Sequence, residues 1–297
     1  MKFSAFGLTI ETSLDFSSSL EYSIKEPDVI ISESDHIDMK NFIETNLYRG
    51  GIRAKIKVVS DCIYLHWENI GVFEISKGKN VSFARLGSTD DSLKLFILSE
   101  VLGIVLLQRG HYLLHSSGVK NKSGQAILFL GESGSGKSTT AAALIKTGFT
   151  ILTDDLAVIK ITDNIPYIVP AFNQYKVWST TIAGLELNSE DIKPSLEGKE
   201  KYFIKQKGGD FLPSQVSIKE IWCIKENLKT ERKLTQAEAS IELLKHFALP
   251  GVLLKSNYLL NHFRHTEVLV KTVPIFIKPK NTTFESLKHW LATKIDV

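Results

Sequence analysis

The stretch Ala126–Asp155, AILFLGESGSGKSTTAAALIKTGFTILTDD, determines the fold class of this 297-residue chain. Its first five residues are all apolar and are bounded by glycines, which is typical of a strand buried on both faces. A loop rich in Gly and Ser follows, and then a run of good helix formers from Ser138 to Lys146. Phe149–Asp155 predicts a second strand that ends in two carboxylates. The stretch therefore predicts a β-loop-α-β unit whose two strands are neighbours and parallel, with a right-handed crossover.

The loop Gly131–Ser138, GESGSGKS, matches the phosphate-loop pattern G-x-x-x-x-G-K-[ST] in full. In this pattern consecutive backbone N–H groups surround phosphate oxygens, and the helix that follows presents the positive end of its dipole. The lysine reaches the β- and γ-phosphates, and the hydroxyl is a ligand of Mg²⁺. The predicted cofactors are therefore ATP and Mg²⁺. The predicted nucleotide-binding residues are Gly131, Glu132, Ser133, Gly134, Ser135, Gly136, Lys137, Ser138 and Thr139.

Two adjacent carboxylates, Asp154 and Asp155, follow the second predicted strand. Ligands of an open α/β sheet bind beyond the carboxyl ends of its strands, so this pair is expected to face the γ-phosphate and its metal. We predict that Asp155 holds Mg²⁺ with Ser138, and that Asp154 accepts the proton of an attacking hydroxyl. The division of roles within the pair stays open. A simple Asp-rich turn or a helix cap is the alternative interpretation.

Two further residues are candidates for the site. His115 precedes the first strand and is predicted to be catalytic, in contact with a phosphate or with the acceptor. A packed structural histidine is the alternative. Lys176 lies in an apolar and aromatic segment, where it would reach the phosphates or support the base. An exposed lysine between core residues is the alternative for that position.

The remainder of the chain predicts two regions: a smaller N-terminal α+β region over residues 1–109 and a catalytic domain over 110–297. Alternating strands at 52–59, 62–67 and 72–76 favour an antiparallel meander, and Leu95–Leu107 favours a buried helix. Later strands are predicted at 157–161, 167–169, 216–224 and 273–277, and helices at 236–247 and 284–293. The lysine-rich residues 188–209 are predicted to form a mobile surface excursion.

Charge and composition restrict the partners. The chain has 36 Lys and Arg against 33 Asp and Glu, a net charge of +3, so a long nucleic-acid track is disfavoured while a local phosphate site is not. Cys62 and Cys223 are far apart in apolar stretches and are expected to be reduced core residues. No segment resembles a secretory signal or is long enough to span a bilayer. A cytoplasmic protein with no membrane or nucleic-acid partner is expected, and a homo-oligomer stays open.

The segment His115–Ile159 resembles the HPr kinase family, because His115, the phosphate loop and the Asp154–Asp155 pair occur in the family's order. These P-loop serine kinases are allied in fold to the phosphoenolpyruvate carboxykinases. The resemblance implies an α/β fold of that type with a mixed sheet. It also implies that Lys137 and Ser138 bind ATP and Mg²⁺, while the aspartate pair supplies the base that deprotonates a serine.

The chain departs from the bifunctional members of that family. They carry a later acidic-Arg-Gly-Leu-Gly signature associated with phosphorolysis, for which Ile182–Glu186 is a poor substitute. Weaker features along nearly the whole chain are similar instead to the tailoring kinases of lasso peptides. These features are Phe6-Gly7, Pro27–Val29, Gln108–Gly110, Pro170–Trp178 and Val273-Pro274.

That second resemblance implies that the substrate is the C-terminal serine of a ribosomally made precursor peptide. The alternatives are an HPr protein kinase, a small-molecule kinase, and a nucleotide-gated binding protein without transfer activity.

Overall fold

The computed structural model of the chain describes residues 1–187, 192–195, 200–206 and 215–294. The chain divides into two compact units. The first comprises Met1–Leu113 together with Leu249–Asn261, and the other described residues form the second. Both contain strands and helices, so the mixed α/β class predicted from the sequence is confirmed.

The first unit contains a nine-stranded sheet. Its strands are β1 (Lys2–Ala5), β2 (Leu8–Thr12), β3 (Glu21–Tyr22), β4 (Val29–Glu33), β5 (Ile43–Arg49), β6 (Ile52–Val59), β7 (Cys62–Trp67), β8 (Gly71–Ser76) and β9 (Asn80–Arg85), in the spatial order β3-β1-β2-β4-β9-β8-β7-β6-β5. The antiparallel meander is confirmed from β5 to β9. β4 adds two parallel pairings, with β2 and β9. Alternation along β7 places Leu65 and Trp67 in the core with no exposed surface.

A helical segment follows this sheet and is longer than the sequence predicts. It consists of α1 (Asp90–Phe96), a π-helical turn (Ile97–Val101) and α2 (Leu102–Gln108). The buried Glu100 lies in the π-helical turn and is paired with the Arg49 guanidinium at 2.8 Å. The apolar residues of the predicted stretch 95–107 are buried on nearly every side, as expected.

The second unit contains a main sheet and a small sheet. The strands are β10 (Tyr112–Leu114, at the boundary between the units), β11 (Ser116–Lys120), β12 (Ala126–Leu130), β13 (Thr150–Thr153), β14 (Ala157–Thr162), β15 (Ile165–Val169), β16 (Gln174–Trp178), β17 (Ile192–Pro194), β18 (Lys201–Lys205), β19 (Val216–Lys225), β20 (Arg232–Lys233) and β21 (Ile275–Pro279). The main sheet runs β14-β15-β19-β12-β11-β13, with β21 on β19 and β20 on β21. The small sheet has the order β16-β18-β17.

β12 is fully buried, as its apolar sequence predicts. The prediction that β12 and β13 are neighbours is wrong, because β11 lies between them. A short connection folds β11 back on β12 as an antiparallel pair, which fills that side of β12. β13 then pairs antiparallel with the far side of β11. β12 and β13 therefore still point the same way, and their carboxyl ends meet at the same edge of the sheet.

The helices of the second half of the chain are α3 (Lys137–Lys146), α4 (Ser179–Leu185), α5 (Gln236–Lys245), α6 (Ser256–Thr272) and α7 (Phe284–Lys294), with a 3₁₀ turn at Gly251–Leu253. The predicted helices at 236–247 and 284–293 are confirmed to within two residues. The predicted strand at 273–277 lies two residues later, and α6 was not predicted. α5 begins with a capping box between Thr235 and Glu238.

The predicted excursion at 188–209 is wrong for the residues that the structure describes, because β17 and β18 both lie in it. One face of the small sheet joins the core through Tyr175, Val177 and Ile204, which pack with α3 and α7. The period-2 alternation of β16 produces this buried face, and Ile204 of β18 joins it as the cross-strand partner of Tyr175. Residues 188–191, 196–199 and 207–209 of the predicted excursion lie outside the described residues.

The two cysteines are free, as expected, but only Cys223 is buried. Cys62 begins β7 and is half-buried, so it is not a core residue. In the described part of the chain, no helix combines the length and the apolar character that crossing a bilayer requires.

Candidate nucleotide and phosphoryl-transfer site

The phosphate loop connects β12 to α3 and is shaped by its glycines. Gly136 precedes α3 with a φ of 101°, in the left-handed region that favours glycine. A Cβ at Gly131 would lie 2.4 Å from Ser135 Oγ and 2.9 Å from the main-chain oxygen of Ile224. Any other residue at Gly131 would therefore displace the loop or β19. The geometry leaves the N-terminus of α3 open to an anion.

Lys137, the first residue of α3, is folded back onto its own loop. Its Nζ donates to the main-chain oxygens of Gly131 at 2.8 Å and Glu132 at 3.1 Å. Burial lowers the pKa of Lys137, and the carboxylates of Asp155 and Asp154 oppose that effect. The ammonium is thus held at the phosphate loop before any phosphate is bound.

Asp154 lies just beyond β13 and receives hydrogen bonds from three separate elements. Its Oδ1 accepts from Ser117 Oγ of β11 at 2.5 Å and from Ser138 Oγ of α3 at 2.9 Å. Its Oδ2 accepts from the main-chain N–H of Lys176 in β16 at 2.8 Å. Burial, followed by the adjacent charge of Asp155, raises the pKa of Asp154, while the Ser117 and Lys176 hydrogen bonds lower it in part. The carboxylate is therefore buried, fixed in position and easier to protonate than an ordinary aspartate.

Asp155 differs from Asp154 in backbone conformation, in exposure and in its partners. Its backbone has a φ of 69°, which reverses the chain direction after β13. Its carboxylate is about a third exposed and forms an ion pair with the ammonium of Lys176. The two aspartates thus present one enclosed carboxylate and one accessible carboxylate at the same edge of the sheet.

Lys176 contacts both aspartates, because its main-chain N–H donates to Asp154 and its ammonium pairs with Asp155. The Nζ also lies 5.8 Å from the centre of the Phe203 ring on the neighbouring strand. Sequence reasoning left two roles open for this lysine, contact with the phosphates and support of the base, with an exposed lysine between core residues as the alternative. The alternation Gln-Tyr-Lys-Val-Trp is the signal that could have predicted a strand with Lys176 on its accessible face.

His115 lies between β10 and β11, close to the aspartate pair. Its Nδ1 is 3.0 Å from the main-chain oxygen of Asp155, and its main-chain N–H donates to the main-chain oxygen of His246 at 2.7 Å. A carbonyl oxygen only accepts, so this hydrogen bond requires a proton on Nδ1. Through it His115 positions the backbone of Asp155. Its predicted contact with a phosphate or the acceptor stays a prediction.

Two other residues of the predicted nucleotide site, Thr139 and Ser135, have defined surroundings. Thr139 Oγ1 is hydrogen-bonded to Thr181 Oγ1 of α4 at 2.9 Å, which ties α3 to that helix. Ser135 Oγ is buried and has no hydrogen-bond partner among the described residues. An orphaned hydroxyl inside a phosphate loop is suited to a phosphate oxygen.

The oxygen atoms of this site are those that Mg²⁺ prefers. The Ser138 hydroxyl and the Asp154 carboxylate are in direct contact, and the Asp155 carboxylate follows in the chain. Mg²⁺ commonly binds through one or two carboxylates together with substrate phosphates. In the described residues there is no cluster of three or more His, Cys, Asp or Glu side chains arranged for a metal.

Sequence reasoning missed three contributors: Ser117, Thr181 and His246. Ser117 faces Asp154 because β11 lies between β12 and β13, an arrangement that the local pattern does not contain. Thr181 and His246 reach the site from α4 and from the end of α5, at sequence distances that no motif connects.

No family model matches the chain, and no curated protein matches it. One similar solved structure is the Hpr(Ser) kinase/phosphatase from Coxiella burnetii, at 12% sequence identity and a TM-score of 0.34. The match covers 61% of this chain and 88% of that chain. A likeness this weak carries no weight for the activity of this chain, which must be inferred from its own residues.

Proposed function

We propose that this protein is an ATP- and Mg²⁺-dependent serine kinase that transfers the γ-phosphoryl group to a serine hydroxyl of a peptide. The observation that carries the proposal is the 2.9 Å hydrogen bond between Ser138 Oγ and Asp154 Oδ1. It joins the helix that begins the phosphate site to a carboxylate pair suited to metal binding and proton transfer. A loop that only turns the chain would not need that contact.

The phosphate loop would bind the nucleotide through groups that are already oriented. The N-terminus of α3 and the loop N–H groups favour an anion, and the buried Ser135 hydroxyl gains a partner when a phosphate oxygen arrives. Lys137 would exchange the carbonyl oxygens of Gly131 and Glu132 for phosphate oxygens. An ammonium at the transferring group stabilises its negative charge in the transition state.

The surroundings of the two aspartates favour different roles. Asp154, enclosed and bonded to Ser138, is the better support for Mg²⁺, which when bound neutralises charge on the phosphates. Asp155 is accessible to an entering hydroxyl and Asp154 is enclosed, so Asp155 is better placed to receive the proton, although Asp154 has the raised pKa. This assignment reverses the one made from the sequence alone.

The reaction then needs only groups at this edge of the sheet. The serine oxygen forms a bond to the γ-phosphorus, and the bond from that phosphorus to the bridging β–γ oxygen breaks. ADP leaves with the electron pair, and Asp155 takes the proton of the serine hydroxyl. Lys176 stabilises the negative charge of Asp155 until that proton arrives.

The acceptor in this proposal is the C-terminal serine of a ribosomally made precursor peptide of the lasso type. This part is supported by the similarity of scattered sequence features to lasso-peptide kinases and by the absence of a good phosphorolysis signature around Ile182–Glu186. A flexible chain end can enter a site in which the accepting carboxylate is partly exposed.

The test is phosphorylation by the full-length protein with ATP and Mg²⁺, followed by mass spectrometry. The acceptors are peptides that end in serine, the same peptides ending in alanine, intact HPr and a metabolite panel. We expect one phosphoryl group on the serine peptides and none on the alanine versions. Modification of HPr or a metabolite without any modification of a peptide would overturn the peptide assignment. Slow ATP hydrolysis that no acceptor stimulates would overturn the kinase assignment.

A further inference from the structure

One face of the small sheet β16-β18-β17 carries lysines from all three of its strands. Cross-strand partners point to the same side of a sheet, so the pairs Lys176–Phe203 and Trp178–Lys201 share this face with Lys193. The pairing Gln174–Lys205 continues it. We call this surface the basic face, and its members are Gln174, Lys176, Trp178, Lys193, Lys201, Phe203 and Lys205. None of the residues of these three strands, all of which the structure describes, is acidic.

The basic face combines these charges with aromatic surface. Lys201 Nζ lies 5.2 Å from the centre of the Trp178 ring, and Trp178 is 45% exposed. On the opposite face of the same strands Tyr175, Val177 and Ile204 are buried in the core, which anchors the sheet beneath its lysines. A fixed surface with lysines and an accessible tryptophan is suited to an extended chain that carries negative charge.

The basic face is continuous with the proposed site of transfer. Lys176 belongs to both, because its ammonium pairs with Asp155. Lys201 is close enough to the phosphate loop to act on it, since its positive charge adds to the larger effect of burial that lowers the pKa of Lys137. A chain lying on this face therefore ends beside the carboxylate that accepts the proton.

We infer that the basic face binds an acidic peptide segment next to the acceptor serine. This inference rests on the proposed kinase function and names the class of its substrate. The five-residue strand β18 spans about 17 Å, which corresponds to about five residues of extended peptide. A nucleic acid is the less suitable partner, because the net charge of +3 over the whole chain provides no long basic track.

The experiment uses the full-length protein and two fluorescent peptides that differ only in charge. One has four glutamates before its C-terminal serine and the other has four glutamines. Binding is measured by fluorescence anisotropy without ATP, and phosphorylation is measured separately as kcat/KM. The test variant is Lys193→Gln with Lys205→Gln, and the matched control is Lys160→Gln with Lys233→Gln, two exposed strand lysines outside the basic face.

We expect the glutamate peptide to bind about five- to tenfold more tightly than the glutamine peptide, as several exposed charge pairs would provide. The test variant should lose most of that preference, and the control variant should keep it. Equal binding of the two peptides, or an unchanged preference in the test variant, would overturn the inference. The inference would also be overturned if an oligonucleotide displaced the fluorescent glutamate peptide at a lower concentration than the unlabelled glutamate peptide does.

The binding and transfer measurements separate the two proposals. Selective binding of the glutamate peptide without phosphoryl transfer supports the basic face and counts against the kinase. Transfer to both peptides with equal binding supports the kinase and counts against the basic face.

Discussion

The phosphate-loop region, residues 126–155, and the small sheet β16-β18-β17 meet at the same carboxylate pair but are built in opposite ways. The first is one continuous stretch, in which strand, loop and helix positions follow from local residue types. The second is assembled from three separate pieces of chain and supplies Lys176 to both aspartates. Catalytic groups that depend on loop geometry can therefore be recognised in the sequence together with their roles, while the contacts of Lys176, which depend on strand pairing, cannot.

The largest effect is expected in the phosphate-loop region. Lys137→Ala removes the ammonium from the transferring phosphates and should lower phosphoryl transfer by about 10³-fold or more. The main chain of α3 should be unchanged, so the melting temperature should stay close to that of the wild type. Kinetics and thermal melting are compared with Lys160→Ala, an exposed lysine in β14. Retention of more than about a tenth of the activity would contradict the role of Lys137.

The next prediction concerns the aspartate pair, at which the phosphate-loop region and the small sheet meet. Asp155→Asn cannot take up the serine proton and should lower kcat by about 10²- to 10⁴-fold, with little change in the concentration of Mg²⁺ needed. Asp154→Asn replaces the carboxylate beside Ser138 by a neutral amide, which is a weaker ligand of Mg²⁺. This variant should need a higher Mg²⁺ concentration to reach half of its maximal rate. Magnesium titrations of both variants check this assignment. If the two results are exchanged, the original sequence-based roles of the pair are correct.

A smaller effect is expected from the small sheet. Lys176→Met keeps an unbranched apolar side chain but leaves Asp155 without its charged partner, and should lower kcat by about ten- to a hundredfold. The main-chain hydrogen bond to Asp154 is retained, so the Mg²⁺ dependence should not change. Steady-state kinetics separate kcat from KM. A change confined to the KM of the peptide would assign Lys176 to substrate binding alone.

The last prediction concerns stability in acid and leaves the transfer reaction aside. Burial, followed by the positive charge of Lys225, lowers the pKa of His246 from 6.5 to about 4. The unfolded chain then binds the proton more tightly than the folded chain between these values. The free energy of unfolding therefore falls as the pH falls from 6.5 towards 4, by about 3 kcal/mol for this group, and is unaffected above 6.5.

His246→Gln removes this titration. Urea unfolding at pH 7 and at pH 4.5 should show a loss of stability that is about 2 to 3 kcal/mol smaller than in the wild type. The exposed His289→Gln is the control and should behave like the wild type. An unaltered acid sensitivity in His246→Gln would show that other groups cause it.

The sequence was most informative where the local residue types alone determine the backbone conformation. The buried β12 and the helix after Gly136 both follow from local chemistry. The lysine-rich segment gave the wrong prediction because its composition is typical of a loop, although Lys201 and Lys205 flank the continuous apolar run Tyr202–Ile204. The overall composition outweighed this short apolar run, and β18 was missed.

The same distinction holds for the residues of the candidate site. Lys137, Ser138 and the aspartate pair could be named from the sequence, because a phosphate loop fixes their spacing. Ser117 could not be named, since its contact with Asp154 depends on the insertion of β11 between β12 and β13. The different surroundings of Asp154 and Asp155 were equally out of reach, because burial and the left-handed backbone of Asp155 are properties of the folded chain.

The hydrogen bond from the Lys176 main chain to Asp154 gives the site a built-in reporter. An amide proton exchanges with deuterium only when its hydrogen bond opens, so the exchange rate at Lys176 measures how often β16 separates from the enclosed carboxylate. That rate is defined for the protein alone, before any substrate is known. A ligand that closes this edge of the sheet would slow the exchange of this one proton, and compounds could be screened for binding on that basis.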